Sequence, residues 1–444
     1  MNNLGLHALL ARAQSAGVSV YELRPPRGSV SESDDFDLLC PSSKLTKFVS
    51  VLLEMSKENS FSFEITQRKY SKTVIHIYAG ESCFRRKIEI WHALRFRGGD
   101  SGKYSHVVLP GQLTSKVYPF LVDSEAWGAV FFSLFFLARM RIGSAMDYDD
   151  VTRVKYFREE VVDAASALGS DERVLRVANT LSAVIEEGRI SGICKRNVFS
   201  IMEAFGVEPK AFKKLEMRET VLFVNRLVTR KASRSIPFCG ADGSGKSSLI
   251  KRVRAHGSEK GLGYLKFRTV FQNSYLFKIL YYPARLMERE ADKKVTEHRL
   301  GWWAIVSARV GMPGMTKVWT LVDRWFYDYL VKDVKFTARE PRRLGRGLTR
   351  LLNLVVPRPS ALVVTFCSQQ SLDARKGEMN EPAVRMMEQV YVERILGDMV
   401  YPAMFCNTDQ SFECCAEQIN HFIDSVSSRP PRTFYNSLIR RRLG

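Results

Sequence analysis

The sequence predicts an α/β protein: a C-terminal parallel sheet built around a phosphate-binding loop, preceded by an α+β region and a helical middle region. Three observations carry this prediction. A glycine-rich run ending in Lys-Ser follows a short apolar strand and opens a helical stretch. Strands and helices alternate from there almost to the end of the chain, the mark of a parallel sheet. Ahead of the loop, short strands separated by turns give way to a long stretch of helical periodicity.

Composition sets the bounds. At 444 residues the chain exceeds one ordinary core, so two or three domains are expected. A formal net charge of +20 favours anionic partners: nucleotides, phosphorylated sugars, nucleic acid or acidic lipid. Eight cysteines are scattered without a repeated metal-type pair, and only Cys414 and Cys415 adjoin. Reduced thiols in a cytoplasmic protein fit this better than a disulfide framework. The N-terminus lacks a charged leader and a solid apolar run, so no signal peptide is read there. The most apolar stretch, Trp127 to Ala138, is too short to span a bilayer. Asp123 and Ser124 ahead of it read as a helix N-cap, which makes it a buried helix.

In chain order, VSVYELR, FDLLC, SFEITQR, TVIHIYAG and KIEIW read as strands. Helical periodicity dominates from Asp123 to Leu227, and the basic stretch Arg230 to Ser235 reads as a linker. The expected domains are therefore 1–117, 118–229 and 230–428, followed by a Pro- and Arg-rich tail at 429–444.

The loop itself is Gly240-Ala241-Asp242-Gly243-Ser244-Gly245-Lys246-Ser247-Ser248. Strand Ile236 to Cys239 precedes it and a helix begins near Lys246. Glycines let the backbone curl until successive N–H groups face a phosphate, and the helix adds its positive end to the same point. Lys246 can reach the β- and γ-phosphates and Ser247 can ligate Mg²⁺. Gly240, Asp242, Gly243, Ser244, Gly245 and Ser248 complete the nucleotide-binding set.

Val318 to Val322 reads as a strand ending on Asp323-Arg324, which a parallel sheet would project towards the phosphates. Asp323 could hold Mg²⁺ or orient the acceptor, and Arg324 could fork onto an acceptor oxyanion. The plainer alternative is an ion pair at a strand end. After strand Ala361 to Cys367 come Arg375 and Lys376, a basic pair suited to a lid, or to a solvated helix end. Tyr401 to Asn407 reads as the last strand. In the closing helix Phe412, Cys415, Ile419 and Phe422 form a core stripe.

FCGADGSGKSS, LVDRWFYDYL and ARKGE with Tyr391 together resemble the thymidylate-kinase-like branch of P-loop kinases. The resemblance covers residues 230–428. It implies a nucleoside-monophosphate-kinase fold with ATP as donor and Mg²⁺, and puts Lys246, Ser247, Asp323, Arg324 and Arg375 in the roles above. True thymidylate kinases carry Arg-Glu-Pro between the loop and the Asp-Arg pair. Here Arg339-Glu340-Pro341 follows the pair, so a thymidine pocket is not implied. The match is closer to thymidylate-kinase-like proteins of unassigned substrate, some with an N-terminal nucleotidyltransferase-like region.

Such a region is expected from Gly28-Ser29, Asp35-Phe36-Asp37-Leu38 and Lys87-Ile88-Glu89-Ile90-Trp91. Alternation puts Asp35 and Asp37 on one strand face and Phe36 and Leu38 on the other, with Glu89 likewise opposite Ile88 and Ile90. Three clustered carboxylates could hold two Mg²⁺ for attack on an α-phosphate. The pattern resembles the nucleotidyltransferase signature, with a shorter Gly-Ser gap and Glu in place of the commoner Asp. The alternatives are solvated acids, a carboxylate neutralised by Lys87, or an inactive scaffold.

Residues 340–356 read as a helix with Pro341 in its first turn. Arg339, Arg342, Arg343, Arg346 and Arg350 line one side of it, a candidate surface for a phosphorylated acceptor. The leading expectation is an ATP-dependent kinase acting on a small-molecule phosphate acceptor. A regulatory or defence-type P-loop switch and a nucleic-acid end-processing enzyme are the competing classes. A nucleic-acid partner has no recognisable motif behind it, and a homodimer is compatible with the sequence.

Overall fold

The computed structural model describes residues 3–22, 36–68, 72–79, 84–97, 104–108, 112–208 apart from 125, 144, 147 and 170, then 210–211, 234–256, 261–267, 319–332, 342–343, 359–375, 379–398 and 402–428. The chain divides into two units that interleave in sequence. One is Met1–Val51, Gln67–His76 and Arg86–Phe223; the other is Leu52–Thr66, Ile77–Arg85 and Val224–Gly444. Among the described residues no helix is long and apolar enough to cross a membrane.

The N-terminal elements are α1 (Asn3–Ser15), β1 (Tyr21–Glu22), β2 (Phe36–Leu39), α2 (Leu45–Glu58), β3 (Ser62–Arg68), β4 (Lys72–Ala79) and β5 (Phe84–Trp91). Of these, α2, β3, β4 and β5 contribute residues to both units. In the first unit β2 lies antiparallel to β1 and parallel to β5, with Asp37 opposite Glu89. Of the expected strand VSVYELR, the described part forms only β1. A second small sheet joins β6 (Leu94–Arg97), β7 (Tyr104–Val108) and β8 (Lys210–Ala211), all antiparallel.

Helices fill the rest of this unit: α3 (Tyr118–Asp123), α4 (Ala126–Arg139), α5 (Tyr148–Ala167), α6 (Glu172–Glu187) and α7 (Gly192–Ala204). The apolar run expected to be a buried helix is α4. Ser124 Oγ accepts from Ala126 N at 3.2 Å, whereas Asp123 ends the preceding helix. Trp127, Phe131 and Leu134 of α4 pack with Phe157 of α5, Leu181 of α6 and Val198 of α7 in one core. The buried Lys195 of α7 donates to Leu137 O (3.2 Å), Ala138 O and Met140 O (2.9 Å). It thereby caps the carbonyls gathered at the end of α4.

The second unit is built on five parallel strands: β9 (Ser235–Gly240), β10 (Gly263–Lys266), β11 (Thr320–Asp323), β14 (Leu362–Phe366) and β15 (Ala403–Asn407). Their order is β15-β14-β9-β11-β10. The chain passes β11 to form β10, returns to β11 beside β9, and then crosses to β14 on the other side. The order therefore reverses at β9, and a ligand crevice is expected beyond its C-terminal end. Helices α8 (Lys246–His256), α9 (Gln369–Arg375), α10 (Glu381–Asp398) and α11 (Phe412–Ser427) complete the unit. Leu249 and Val253 of α8 and Ile419 and Phe422 of α11 bury against Phe238, Leu321, Val363 and Met404 of the sheet.

A sixth strand comes from far away in sequence. β3 runs antiparallel to β15, with Phe63 opposite Phe405 and their rings stacked at 4.7 Å. Asn407 Nδ2 donates to Ser56 O at 2.8 Å, and Ser62 Oγ accepts from Asn407 N at 3.1 Å.

The helix expected over 340–356 needs correction where it is described. Arg342–Arg343 is strand β13, paired antiparallel with β12 (Val331–Lys332). Antiparallel pairing with a strand ten residues upstream overrides the local helical pattern there. Arg339, Arg346 and Arg350 lie outside the described residues.

Candidate functional site

The loop leaves β9 at Gly240, whose φ of +144° suits glycine alone. A Cβ there would stand 2.2 Å from Thr365 O, so neighbouring β14 admits no side chain. Gly243 and Gly245 also hold positive φ, at 92° and 79°. Ser244 Oγ and Thr365 Oγ1 are bonded at 2.7 Å, and Thr408 Oγ1 donates to Ser244 O at 3.1 Å. The next two strands thus brace the loop from beneath. Helix α8 starts at Lys246 itself, so its unpaired N–H groups point into the loop. Ser247 and Ser248 are exposed in its first turn.

Lys246 is buried, and its Nζ donates to Gly240 O at 2.7 Å and Ala241 O at 2.6 Å. Burial lowers its pKa, an effect opposed by Asp328, Asp242 and Asp323 and assisted by Arg324. The amine thus stands inside the curl where a phosphate would sit.

Ser247 Oγ donates to Asp323 Oδ2 at 3.0 Å, joining the first turn of α8 to the end of β11. Tyr264 OH is 3.4 Å from the same oxygen. The other carboxylate oxygen, Oδ1, is buried without a hydrogen-bond partner among the described residues. An orphaned carboxylate oxygen beside a serine hydroxyl is a hard-oxygen donor set of the kind Mg²⁺ takes. These two residues fit the ion.

Arg324 follows with φ +74°, a left-handed conformation uncommon for a residue with a side chain. Its N–H donates to Phe238 O at 2.9 Å, and its guanidinium pairs with Asp242 of the loop. The expected loop set and the Asp-Arg pair are therefore brought together.

Arg375 also reaches the loop, in a different posture from the expected lid. It ends α9 and donates to Thr408 Oγ1 at 3.0 Å and Thr408 O at 2.7 Å, over the Phe412 ring. A Cβ on Gly245 would lie 3.6 Å from its Nη1. Lys376 lies outside the described residues.

In the first unit the acids are differently engaged. Glu89 is paired with Lys72 and, at 2.9 Å, with Lys87. These lysines hold its carboxyl below the ordinary range although burial pushes the other way. Trp91 Nε1 donates to Asp37 Oδ1 at 2.9 Å, and Lys72 and Arg139 lie over the Trp91 ring. Asp35 lies outside the described residues. Among the described residues no cluster of three His, Cys, Asp or Glu side chains could hold a metal. Two lysines thus meet the charge of Glu89.

Sequence reasoning missed Asp328, Tyr391 as its partner, and the bracing pair Thr365 and Thr408. Asp328 was visible in LVDRWFYDYL, at a spacing no strand or helix periodicity singles out.

No family model matches this chain, and no curated protein matches it. Among solved structures it is similar to thymidylate kinase from Candida albicans, at 14% identity and a TM-score of 0.31. The match covers 44% of this chain and 92% of that one.

Proposed function

We propose that this protein is a Mg²⁺-dependent P-loop kinase that transfers the γ-phosphoryl group of ATP to a small anionic acceptor, a nucleoside monophosphate or a phosphorylated sugar. The observation that carries this reading is the Ser247–Asp323 bond at the foot of the loop. It joins the two oxygen ligands by which P-loop enzymes hold their metal, in a chain whose Lys246 already occupies the loop.

Each residue then has a task. Backbone N–H groups of residues 240–248 hold phosphate oxygens, and Lys246 exchanges its two carbonyl partners for phosphate. Ser247 and Asp323 would hold Mg²⁺, which when bound neutralises charge on the phosphates. Arg324, at the loop mouth through its pairing with Asp242, supplies a fork for the transferring group or the acceptor. Arg375 adds positive charge on the Gly245 side. A net charge of +20 favours an acceptor that is itself anionic. The carboxylates of the first unit are read as structural, because lysines already meet Glu89.

The test is ADP formation from Mg·ATP, screened against nucleoside monophosphates and sugar phosphates. One acceptor class should raise turnover, and chelation of Mg²⁺ should abolish it. Turnover raised by a macromolecule and by no small acceptor would turn the reading to a nucleotide switch.

A further inference from the structure

Beneath the loop lies a carboxylate that the motif-based roles do not use. Asp328 sits in the 3₁₀ turn Phe326–Tyr329, directly after the Asp323-Arg324 pair. Its side chain is 2% exposed. Oδ1 accepts from Tyr391 OH at 2.8 Å, whereas Oδ2 has no hydrogen-bond partner among the described residues. The Nη1 of Arg324 stands 3.9 Å from that oxygen. Burial pushes the carboxyl of Asp328 above its ordinary range, while Lys246 and Arg324 pull it back.

The Cys239 thiol is a second neighbour that bonds to this carboxylate. A carboxylate withdrawn from water and met only by a hydroxyl, a thiol and a guanidinium at 3.9 Å lowers stability, and an amide or apolar side chain would do better in the fold alone. Such a group beside a charged loop is therefore a candidate for function. The second cost lies next to it. Arg324 holds a left-handed φ of +74°, a strained conformation that persists only where its surroundings enforce it.

Among the described residues two carboxylates lie at the guanidinium, and they differ in kind. Asp242 belongs to the loop, also lies 3.9 Å from Lys246, and must compete with any phosphate for both cations. Asp328 is buried, does not belong to the loop, and is fixed by Tyr391.

We propose that Asp328 is a positioning residue: its buried carboxylate, oriented by Tyr391, holds Arg324 at the loop mouth when phosphate displaces Asp242, so that Arg324 meets the transferring phosphoryl group. This rests on the kinase reading.

The experiment compares binding of Mg·ADP alone with binding of Mg·ADP plus aluminium fluoride, a mimic of the transferring phosphoryl group, in the full chain. Asp328→Asn keeps the size and a hydrogen bond to Tyr391 and removes the charge. Mg·ADP affinity should stay within about threefold of wild type, and the extra tightening by aluminium fluoride should fall by about tenfold or more. The melting temperature should hold or rise, because a buried charge is gone. Tyr391→Phe should lose part of the same tightening. Arg324→Lys should lose it too, and adding Asp328→Asn to Arg324→Lys should cost little more, since both act through one contact. Undiminished tightening in Asp328→Asn overturns this role and leaves the kinase reading standing. A fall in melting temperature with an equal loss of both affinities marks a structural support, and also overturns it. A wild-type chain that fails to bind Mg·ADP overturns the kinase reading itself.

Discussion

Lys246 fills the curl of its own loop, bonded to Gly240 O and Ala241 O. Lys246→Ala should abolish phosphoryl transfer, by about a thousandfold or more, because it removes the buried cation that sits inside the loop. The fold should survive, as the glycines and the Ser244–Thr365 bond shape the backbone; unchanged circular dichroism with unchanged turnover would contradict this. Asp323→Asn should depress turnover by about a hundredfold and shift the Mg²⁺ requirement upward, with nucleotide affinity altered far less. Titrating activity against Mg²⁺ reads this directly. These residues were legible in the sequence because the motif is contiguous and its strand–loop–helix context is local. Asp328 was not, because its meaning depends on Tyr391, which the fold brings to it through α10. The pairing of Glu89 was half legible: Lys87 stands two residues away on the same strand, whereas Lys72 arrives from β4.

At the scale of elements, α10 meets α2 through a buried ion pair. Lys57 and Glu388 lie 2.6 Å apart, and both are largely removed from water. Burial outweighs the attraction of Lys57 and raises the Glu388 pKa from 4.5 to about 7. The native state therefore keeps a proton that the unfolded chain releases between those two values. Its stabilising contribution is complete below the unfolded pKa and is lost as pH rises through the native one, an effect of up to about 3 kcal/mol. Urea unfolding at about pH 5 and about pH 8 should show wild type weaker at the higher pH, and Glu388→Gln should remove most of that slope. A slope unchanged by the substitution would assign the effect elsewhere. The elements themselves were read with uneven success. Parallel strands β9, β11, β14 and β15 and helix α11 follow from apolar runs and a core stripe, and α4 from its apolar length, whereas the short β10, GYLK, was not read as a strand. Strand β13 was read as a helix because a two-residue strand carries no alternation to set against the helical spacing of its arginines.

Over the whole molecule, the strand order of the second unit was expected in class, but its sixth strand was not. Pairing between β3 and β15 leaves no signal in either segment, since alternation reveals a strand without naming its neighbour. A fragment beginning at Val224 would lack Leu52–Thr66 and uncover the edge of β15, with Asn407 losing its bonds to Ser56 and Ser62. Such a fragment should aggregate or melt well below the full chain, and light scattering with a thermal melt checks this. Full-length stability in the fragment would make β3 dispensable. Ser62 and Asn407, bonded side by side, are separated by 345 residues of chain. During synthesis β3 leaves the ribosome on the order of tens of seconds before the strand it will lie against. Over that interval an apolar strand edge is exposed with its proper neighbour not yet made, a hazard that favours stray pairing. The second unit therefore completes its sheet late, by the slow route of long-range pairing, and newborn chains will depend on whatever shields that edge.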